Sequence, residues 1–230
     1  MRSVGVAFAA IAVFMAGSAP GVATDAGRPR HLIYLHGRIV QEQQSARPRH
    51  PQFGYYELEK ILDTFRHRGF DVSGEIRPKA ASVSESADRV VAQVRRLLAS
   101  GVPADRVTVV GASMGAAIAL VASARLQNSD VRFCVLGACL SENVRGLLAD
   151  EGKGPSGHVL SIREATDDST GACKPWKTDP DSRSLLVARE IVLDTGLGHG
   201  FLYRPLPEWV NPVVECATGS CCCPRTRPMP

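Results

Sequence analysis

The sequence lacks three features that would point to particular classes of protein. Beyond residue 16 it has no apolar run long enough to cross a bilayer, so we expect no membrane span in the mature chain. Its basic residues are scattered and its formal net charge is only +4, which leaves no electrostatic footprint for nucleic acid. It also has no internal repeat and no interdomain linker, so its 230 residues predict a single domain.

The first residues have the three parts of a secretory signal peptide. Arg2 supplies a positive charge, the stretch 4–16 is almost wholly apolar, and small residues follow it. This pattern predicts a signal peptide over residues 1–23 with cleavage after Ala23, or at one of the rival sites Ala19 and Ala26. The mature protein would then be periplasmic or secreted. An uncleaved membrane tether is the other interpretation of the same pattern.

The chain has seven cysteines, an odd number, so at least one of them cannot pair within the chain. An exported protein meets an oxidising compartment, which permits disulfides. Cys134 lies in an apolar run and is expected to be a buried thiol. The segment 218–230 holds three adjacent cysteines at 221–223 and has no periodic pattern, which predicts a disordered tail rather than a zinc site.

Apolar runs of strand length alternate with stretches of helical periodicity across residues 24–217. This alternation predicts an α/β domain with a mostly parallel sheet and helices on both faces. The predicted strands span 31–36, 70–77, 106–110, 131–136, 158–162 and 190–193, and the predicted helices span 56–68, 86–98, 116–126, 182–188 and 207–216. The short connection between Gly137 and His158 leaves little room for a helical lid domain.

The segment Gly111-Ala112-Ser113-Met114-Gly115 lies between a buried strand and a helix of small residues. A strand, then G-x-S-x-G, then a helix is the arrangement of a nucleophile elbow. The serine occupies a strained turn, and the glycines let the strand and the helix approach closely. Ser113 is therefore the candidate nucleophile. The helix begins at this serine, so its positive end favours negative charge that develops nearby.

From HLIYLHG near the start of the mature chain to HGFLYRP near its end, the sequence resembles the α/β-hydrolase family. In that family a strand that ends in His-Gly leads into a loop that donates one backbone N–H to the oxyanion hole, and the motif LHGR at 35–38 matches it. The resemblance implies that the backbone N–H groups of Arg38 and Met114 face the oxyanion. His36 itself is expected to be structural rather than to transfer protons.

The family order of serine, acid and histidine points to the base. His199 lies in the glycine-rich segment TGLGHG, which follows the last predicted strand. The five other histidines belong to strands, to a helix or to the polar segment RPRHPQ at 47–52. A serine hydroxyl is a poor nucleophile unless an imidazole accepts its proton, and His199 is the candidate for that task.

Three carboxylates follow the predicted strand 158–162 and compete for the role of the acid. The family's acid usually stands four or five residues past this strand, which favours Asp167 and leaves Asp168 and Glu164 as alternatives. The acid must be buried beside the imidazole to hold its tautomer and stabilise the imidazolium. A catalytic set of Ser113, Asp167 and His199 needs no metal or organic cofactor.

These features predict a minimal α/β-hydrolase fold without a lid domain and with an open, shallow site. Such a site suits short soluble acyl esters or an exposed large substrate. Arg38 and the segment 47–52 would either recognise an anionic or polar group or form a solvated loop. The expected activity is serine-dependent ester hydrolysis. Acyl transfer and amide or peptide hydrolysis would use the same residues, and a non-catalytic binding protein could retain the fold.

Cys139 and Cys173 follow neighbouring predicted strands of the sheet. The carboxyl ends of parallel strands meet at one edge, where the active-site loops gather. We therefore expect a disulfide between these two cysteines that constrains the loop carrying Asp167. The alternatives are two free thiols, or capture of either cysteine by one of the tail cysteines at 221–223.

Overall fold

The structure is a computed structural model that describes residues 29–138, 142–169 and 185–219. The predicted signal peptide 1–23, the tail cysteines at 221–223, and both Cys139 and Cys173 lie outside the described residues. Cys134 is a buried free thiol, as predicted.

Helices and strands alternate through most of the described chain. The strands are β1 (Arg30–Leu35), β2 (Arg49–His50), β3 (Gly54–Tyr55), β4 (Phe70–Ser73), β5 (Val107–Ala112), β6 (Arg132–Leu136), β7 (Gly157–Glu164) and β8 (Leu185–Leu193). The α-helices are α1 (Arg38–Gln43), α2 (Leu58–His67), α3 (Val83–Ala99), α4 (Met114–Leu126), α5 (Glu142–Ala149) and α6 (Pro207–Ala217).

Six of these strands form one sheet in the order β4-β1-β5-β6-β7-β8, and each of its pairings is parallel. β2 and β3 form a separate antiparallel hairpin. This is the mostly parallel α/β sheet that the sequence predicts. The first strand is central rather than an edge, since β1 pairs with both β4 and β5.

The core lies on both faces of the sheet because successive strand residues point to opposite sides. In β1, Leu32 and Tyr34 belong to the cluster that packs under α2 and α6, whereas Ile33 and Leu35 belong to the cluster under α3 and α4. Most side chains of α4 are small and apolar, and most of its residues are buried where the helix packs against the sheet and α3. Helices therefore cover both faces, as predicted.

The predicted helix 182–188 is wrong where the structure describes it, because Leu185–Leu193 is a strand throughout. The apolar run LLVAREIVL fits either periodicity. This run forms a strand because it pairs with β7 along the whole length of that strand, from Gly157 to Glu164. The sequence patterns did not predict the short helix α1, the β2–β3 hairpin or the helix α5. In the described part of the chain, no helix has the length and apolar character needed to cross a membrane.

Candidate active site

The elbow between β5 and α4 holds Ser113 in a backbone conformation that few residues other than glycine adopt. Its φ is 54° and its ψ is −117°, outside the helical and extended regions open to most residues. The backbone N–H of Ser113 donates to the Leu136 carbonyl oxygen at 2.8 Å, which ties the turn to β6. The sheet thus holds the Ser113 side chain at the carboxyl end of β5.

Two glycines make this turn possible by allowing close approach. A Cβ on Gly111 would overlap the carbonyl oxygen of Gly115, and a Cβ on Gly115 would overlap the carbonyl oxygen of Leu35. α4 therefore passes against the ends of β1 and β5 with no room for a methyl group. This is the close packing that the G-x-S-x-G motif predicts.

Three side chains meet at the carboxyl edge of the sheet. His199 Nε2 lies 2.9 Å from Ser113 Oγ, and His199 Nδ1 lies 2.6 Å from Asp167 Oδ2. The Asp167 side chain is only 1% exposed, whereas that of His199 is 19% exposed. The Asp167 carboxylate can only accept a hydrogen bond, so the ring proton of His199 sits on Nδ1. His199 Nε2 is then free to accept a hydrogen bond from the Ser113 hydroxyl.

Asp167 is held as a carboxylate by its surroundings. Burial acts to raise the pKa of the Asp167 carboxyl, but hydrogen bonds from His199 and Ser169 outweigh it, so this pKa lies below its usual value. The Ser169 hydroxyl and backbone N–H both donate to Asp167 Oδ1, at 2.5 and 3.0 Å. Ser169 Oγ also lies 2.9 Å from His199 Nδ1. The sequence reasoning missed Ser169, although its place two residues after Asp167 in an Asx-type turn is a recognisable signal.

The two other candidate acids have different surroundings. Asp168 is exposed at the rim of the site. Glu164 is buried at the end of β7 and accepts hydrogen bonds from Thr195 and Gly196 rather than from His199. Of the three carboxylates considered from the sequence, the one that contacts the imidazole is Asp167.

Arg38 and Met114, the expected oxyanion donors, are the first residues of α1 and α4. Backbone N–H groups in the first turn of a helix have no partner within the helix. Gly37 lies directly against the nucleophile, since a Cβ placed on it would be 3.6 Å from Ser113 Cβ. The two helix starts therefore meet beside Ser113.

His36 has a structural position behind this loop. The backbone N–H of Arg77 donates to His36 Nε2 at 3.1 Å, so the ring proton is on Nδ1, which lies 2.8 Å from the Gly37 carbonyl oxygen. Burial, and then the Arg77 guanidinium, lower the pKa of His36 to about 4, so the ring is neutral. A trans peptide directs its C=O and N–H in opposite directions. By holding the Gly37 carbonyl, His36 orients the Arg38 N–H.

A cleft of about 560 Å³ opens over Ser113 and His199 on the side of Asp167 and Asp168. The β2–β3 hairpin and the 3₁₀ turn Gly198–Tyr203 form its other wall. The lining aromatic and imidazole rings on that wall are His50, Phe53 and Tyr203. His50 stacks on Phe53 at a centroid distance of 4.6 Å. Residues 49–52 thus line the site, rather than the whole segment 47–52 being only a solvated loop. Within the described ranges, no three His, Cys, Asp or Glu side chains cluster in a way that would hold a metal ion.

Comparisons with known proteins agree with this architecture at the level of the fold. No family model matches the sequence, and no curated protein matches it. A point variant of SOBER1 from Arabidopsis thaliana has a solved structure that is 15% identical, with a TM-score of 0.50 over 82% of this chain and 99% of its own. SOBER1 itself is 14% identical, with a TM-score of 0.49 over 83% and 100% of the two chains. MGS-MChE2, an α/β hydrolase enzyme from a lagoon sediment metagenome, is 16% identical, with a TM-score of 0.48 over 82% and 90%.

Proposed function

We propose that this chain, which has the α/β-hydrolase fold, is a serine hydrolase that cleaves carboxylic esters through an acyl-enzyme intermediate. One observation carries the proposal: an unbroken chain of hydrogen bonds from Ser113 Oγ through His199 to Asp167, at 2.9 and 2.6 Å. Such a chain supplies a nucleophile, a base that can take its proton and a carboxylate that orients the base.

In the proposed acylation step, Ser113 Oγ attacks the ester carbonyl carbon while His199 Nε2 accepts the hydroxyl proton. Asp167 stabilises the imidazolium that forms. The carbonyl oxygen becomes negative and accepts hydrogen bonds from the backbone N–H groups of Arg38 and Met114. Loss of one such donor typically costs about 3 kcal/mol of transition-state stabilisation. The tetrahedral intermediate collapses as the imidazolium returns its proton to the leaving alcohol oxygen.

Deacylation repeats these steps with water as the nucleophile. His199 Nε2 accepts a proton from a water molecule that attacks the acyl carbonyl, and it then protonates Ser113 Oγ as the carboxylic acid leaves. The cleft beside Ser113 has polar side chains, including Asp168 and Ser169, on one wall. This lining supports short or polar acyl esters as substrates in preference to long acyl chains.

A fluorophosphonate probe tests the nucleophile directly. We expect it to label the wild-type protein at Ser113, to fail with Ser113→Ala, and to react at least about 100-fold more slowly with His199→Ala. Ser129→Ala is the control, because Ser129 is exposed just before β6, away from the cleft. Labelling of Ser113→Ala at the wild-type rate would contradict the proposal.

The exported location predicted from residues 1–23 is part of the same proposal. N-terminal sequencing of the protein recovered from its native compartment provides the test. We expect the mature chain to begin at Thr24. A mature chain that retains Arg2 would contradict cleavage.

A further inference from the structure

A second cleft, of about 350 Å³, adjoins Ser113 and His199 and is lined by α1 rather than by Asp167 and Asp168. α1 and the β2–β3 hairpin form it, and its charged lining side chains are Arg38, Arg49 and Glu42. Its net formal charge is therefore positive. The two clefts give the site one side with a carboxylate at its rim, Asp168, and one side with two guanidinium groups.

The two guanidinium groups of this cleft are not neutralised by neighbouring side chains. Over the described ranges, neither Arg38 nor Arg49 has a side-chain ion pair or hydrogen bond, in contrast to Arg66 and Arg125, which pair with carboxylates at 2.7 and 2.6 Å. The nearby Arg47 differs from them, because its guanidinium makes a cation–π contact 4.1 Å from the centre of the Tyr55 ring. Arginines with free donor groups at a cleft are suited to binding an anion.

The hairpin that carries Arg49 is tied to the helix that carries Arg38. Gln43 on α1 donates from Nε2 to the Arg49 carbonyl oxygen at 3.1 Å and accepts from the Arg49 backbone N–H at 3.2 Å. This two-way contact holds the backbone of Arg49 over α1. The two arginines therefore share one cleft as a consequence of the fold rather than of a chance meeting of long side chains.

We propose that the cleft of Arg38 and Arg49 binds a carboxylate group carried by the ester substrate, so that the preferred substrates are anionic esters. This inference rests on the proposed function. Arginine binds a carboxylate through paired, charge-assisted N–H···O bonds. Glu42 on the same rim leaves the lining with one net positive charge, which matches a singly charged carboxylate better than a doubly charged phosphate monoester.

Matched pairs of charged and neutral esters test this specificity. One pair carries the charge on the alcohol: 4-acetoxybenzoate and 4-acetoxybenzamide. The other carries it on the acyl group: 4-nitrophenyl hydrogen adipate and methyl 4-nitrophenyl adipate. We expect kcat/KM to favour the anionic member of at least one pair about tenfold. The preferred pair shows whether the cleft receives the acyl or the alcohol part.

Substitutions then assign the preference to the cleft. Arg49→Gln is expected to reduce the preference about fivefold, Arg49→Lys to retain only part of it because lysine keeps the charge but not the paired donors, and Arg47→Gln to leave it unchanged. Because the cleft is open to solvent, added salt should raise KM for the anionic ester and not for its neutral partner.

Binding to the Ser113→Ala protein separates failure of this inference from failure of the proposed function. We expect calorimetry to detect 4-acetoxybenzoate binding that Arg49→Gln weakens, whether or not the wild-type protein turns the ester over. Equal kcat/KM for charged and neutral esters, together with binding that Arg49→Gln does not change, would overturn the anion site while leaving Ser113 chemistry intact. Absence of both ester turnover and Ser113 labelling would instead overturn the proposed function.

Discussion

Glu164 and Thr195 are joined by three hydrogen bonds that tie the histidine loop to the sheet. The Thr195 hydroxyl donates to Glu164 Oε2 at 2.8 Å, and the Thr195 backbone N–H lies 3.1 Å from both carboxylate oxygens. Glu164 is the last residue of β7 and is 1% exposed. Thr195 precedes His199 by four residues. The strand that leads to Asp167 therefore also anchors the loop that presents the imidazole.

Glu164→Gln removes one of the two acceptor oxygens and the charge from this anchor. We expect the free energy of unfolding to fall by about 2 kcal/mol, because the partly buried N–H and O–H donors of Thr195 lose a charged acceptor. Turnover should fall as well, since His199 is less well held. The control is Glu190→Gln, which weakens a partly exposed ion pair with Arg163 at 3.4 Å. Urea unfolding at pH 7 should show a change below about 1 kcal/mol for this control.

The stability of the fold should depend on acid through Glu164 and Asp167. Burial acts to raise the pKa of each carboxyl group, but hydrogen bonds outweigh it, so both pKa values lie below their usual range. Groups of this kind stabilise the fold fully above the unfolded-state pKa, which is about 4. The stabilisation is lost as the pH falls through the lower, folded-state pKa.

Urea unfolding at a series of pH values between 7 and 2.5 provides the measurement. The difference in unfolding free energy between wild type and Glu164→Gln should be constant near neutral pH and shrink below about pH 4, because glutamine does not titrate. A difference that stayed constant down to the lowest pH would show that Glu164 is not a stabilising carboxylate.

Asp167 and Asp168 are adjacent in sequence and should differ widely in effect. Asp167→Asn removes the carboxylate that lies 2.6 Å from His199 Nδ1 and favours the wrong tautomer, so we expect kcat to fall by about 10⁴-fold. Asp168→Asn alters an exposed side chain and should change kcat less than about tenfold. Steady-state kinetics on a model ester would compare them, and a larger loss in Asp168→Asn would transfer the role of the acid.

Gly115→Ala tests the close approach of α4 to the sheet. The new methyl group would overlap the Leu35 carbonyl oxygen, so the helix must shift. Overpacking of this kind typically costs about 1–3 kcal/mol, and the elbow would be displaced with it. The matched control is Gly146→Ala on α5, where a Cβ meets nothing within 4 Å. Alanine there should stabilise the helix by up to about 1 kcal/mol. Equal melting temperatures for the two variants would contradict this packing.

Much of this architecture is readable from local sequence. The alternation of apolar strands and periodic helices predicts the parallel sheet, and the pattern G-x-S-x-G predicts the strained turn that the φ of 54° at Ser113 confirms. Helix α3 has its own start signal, a capping box between Ser82 and Glu85. These features depend on interactions between residues close in the chain, so their patterns appear in the sequence itself.

Which side chains form the site is decided by contacts between residues that are distant in the sequence. Asp167, Asp168 and Glu164 have similar chemistry within five positions, and only the folded loop decides which carboxylate reaches an imidazole 32 residues away. The hairpin that brings His50 and Arg49 to Ser113 has no strong local signal, and the run 185–193 becomes a strand because β7 offers it a partner. Local patterns fix where the chain turns and which face of a strand or helix is buried. Burial and hydrogen bonding across the sheet edge decide which of several equivalent polar side chains meet.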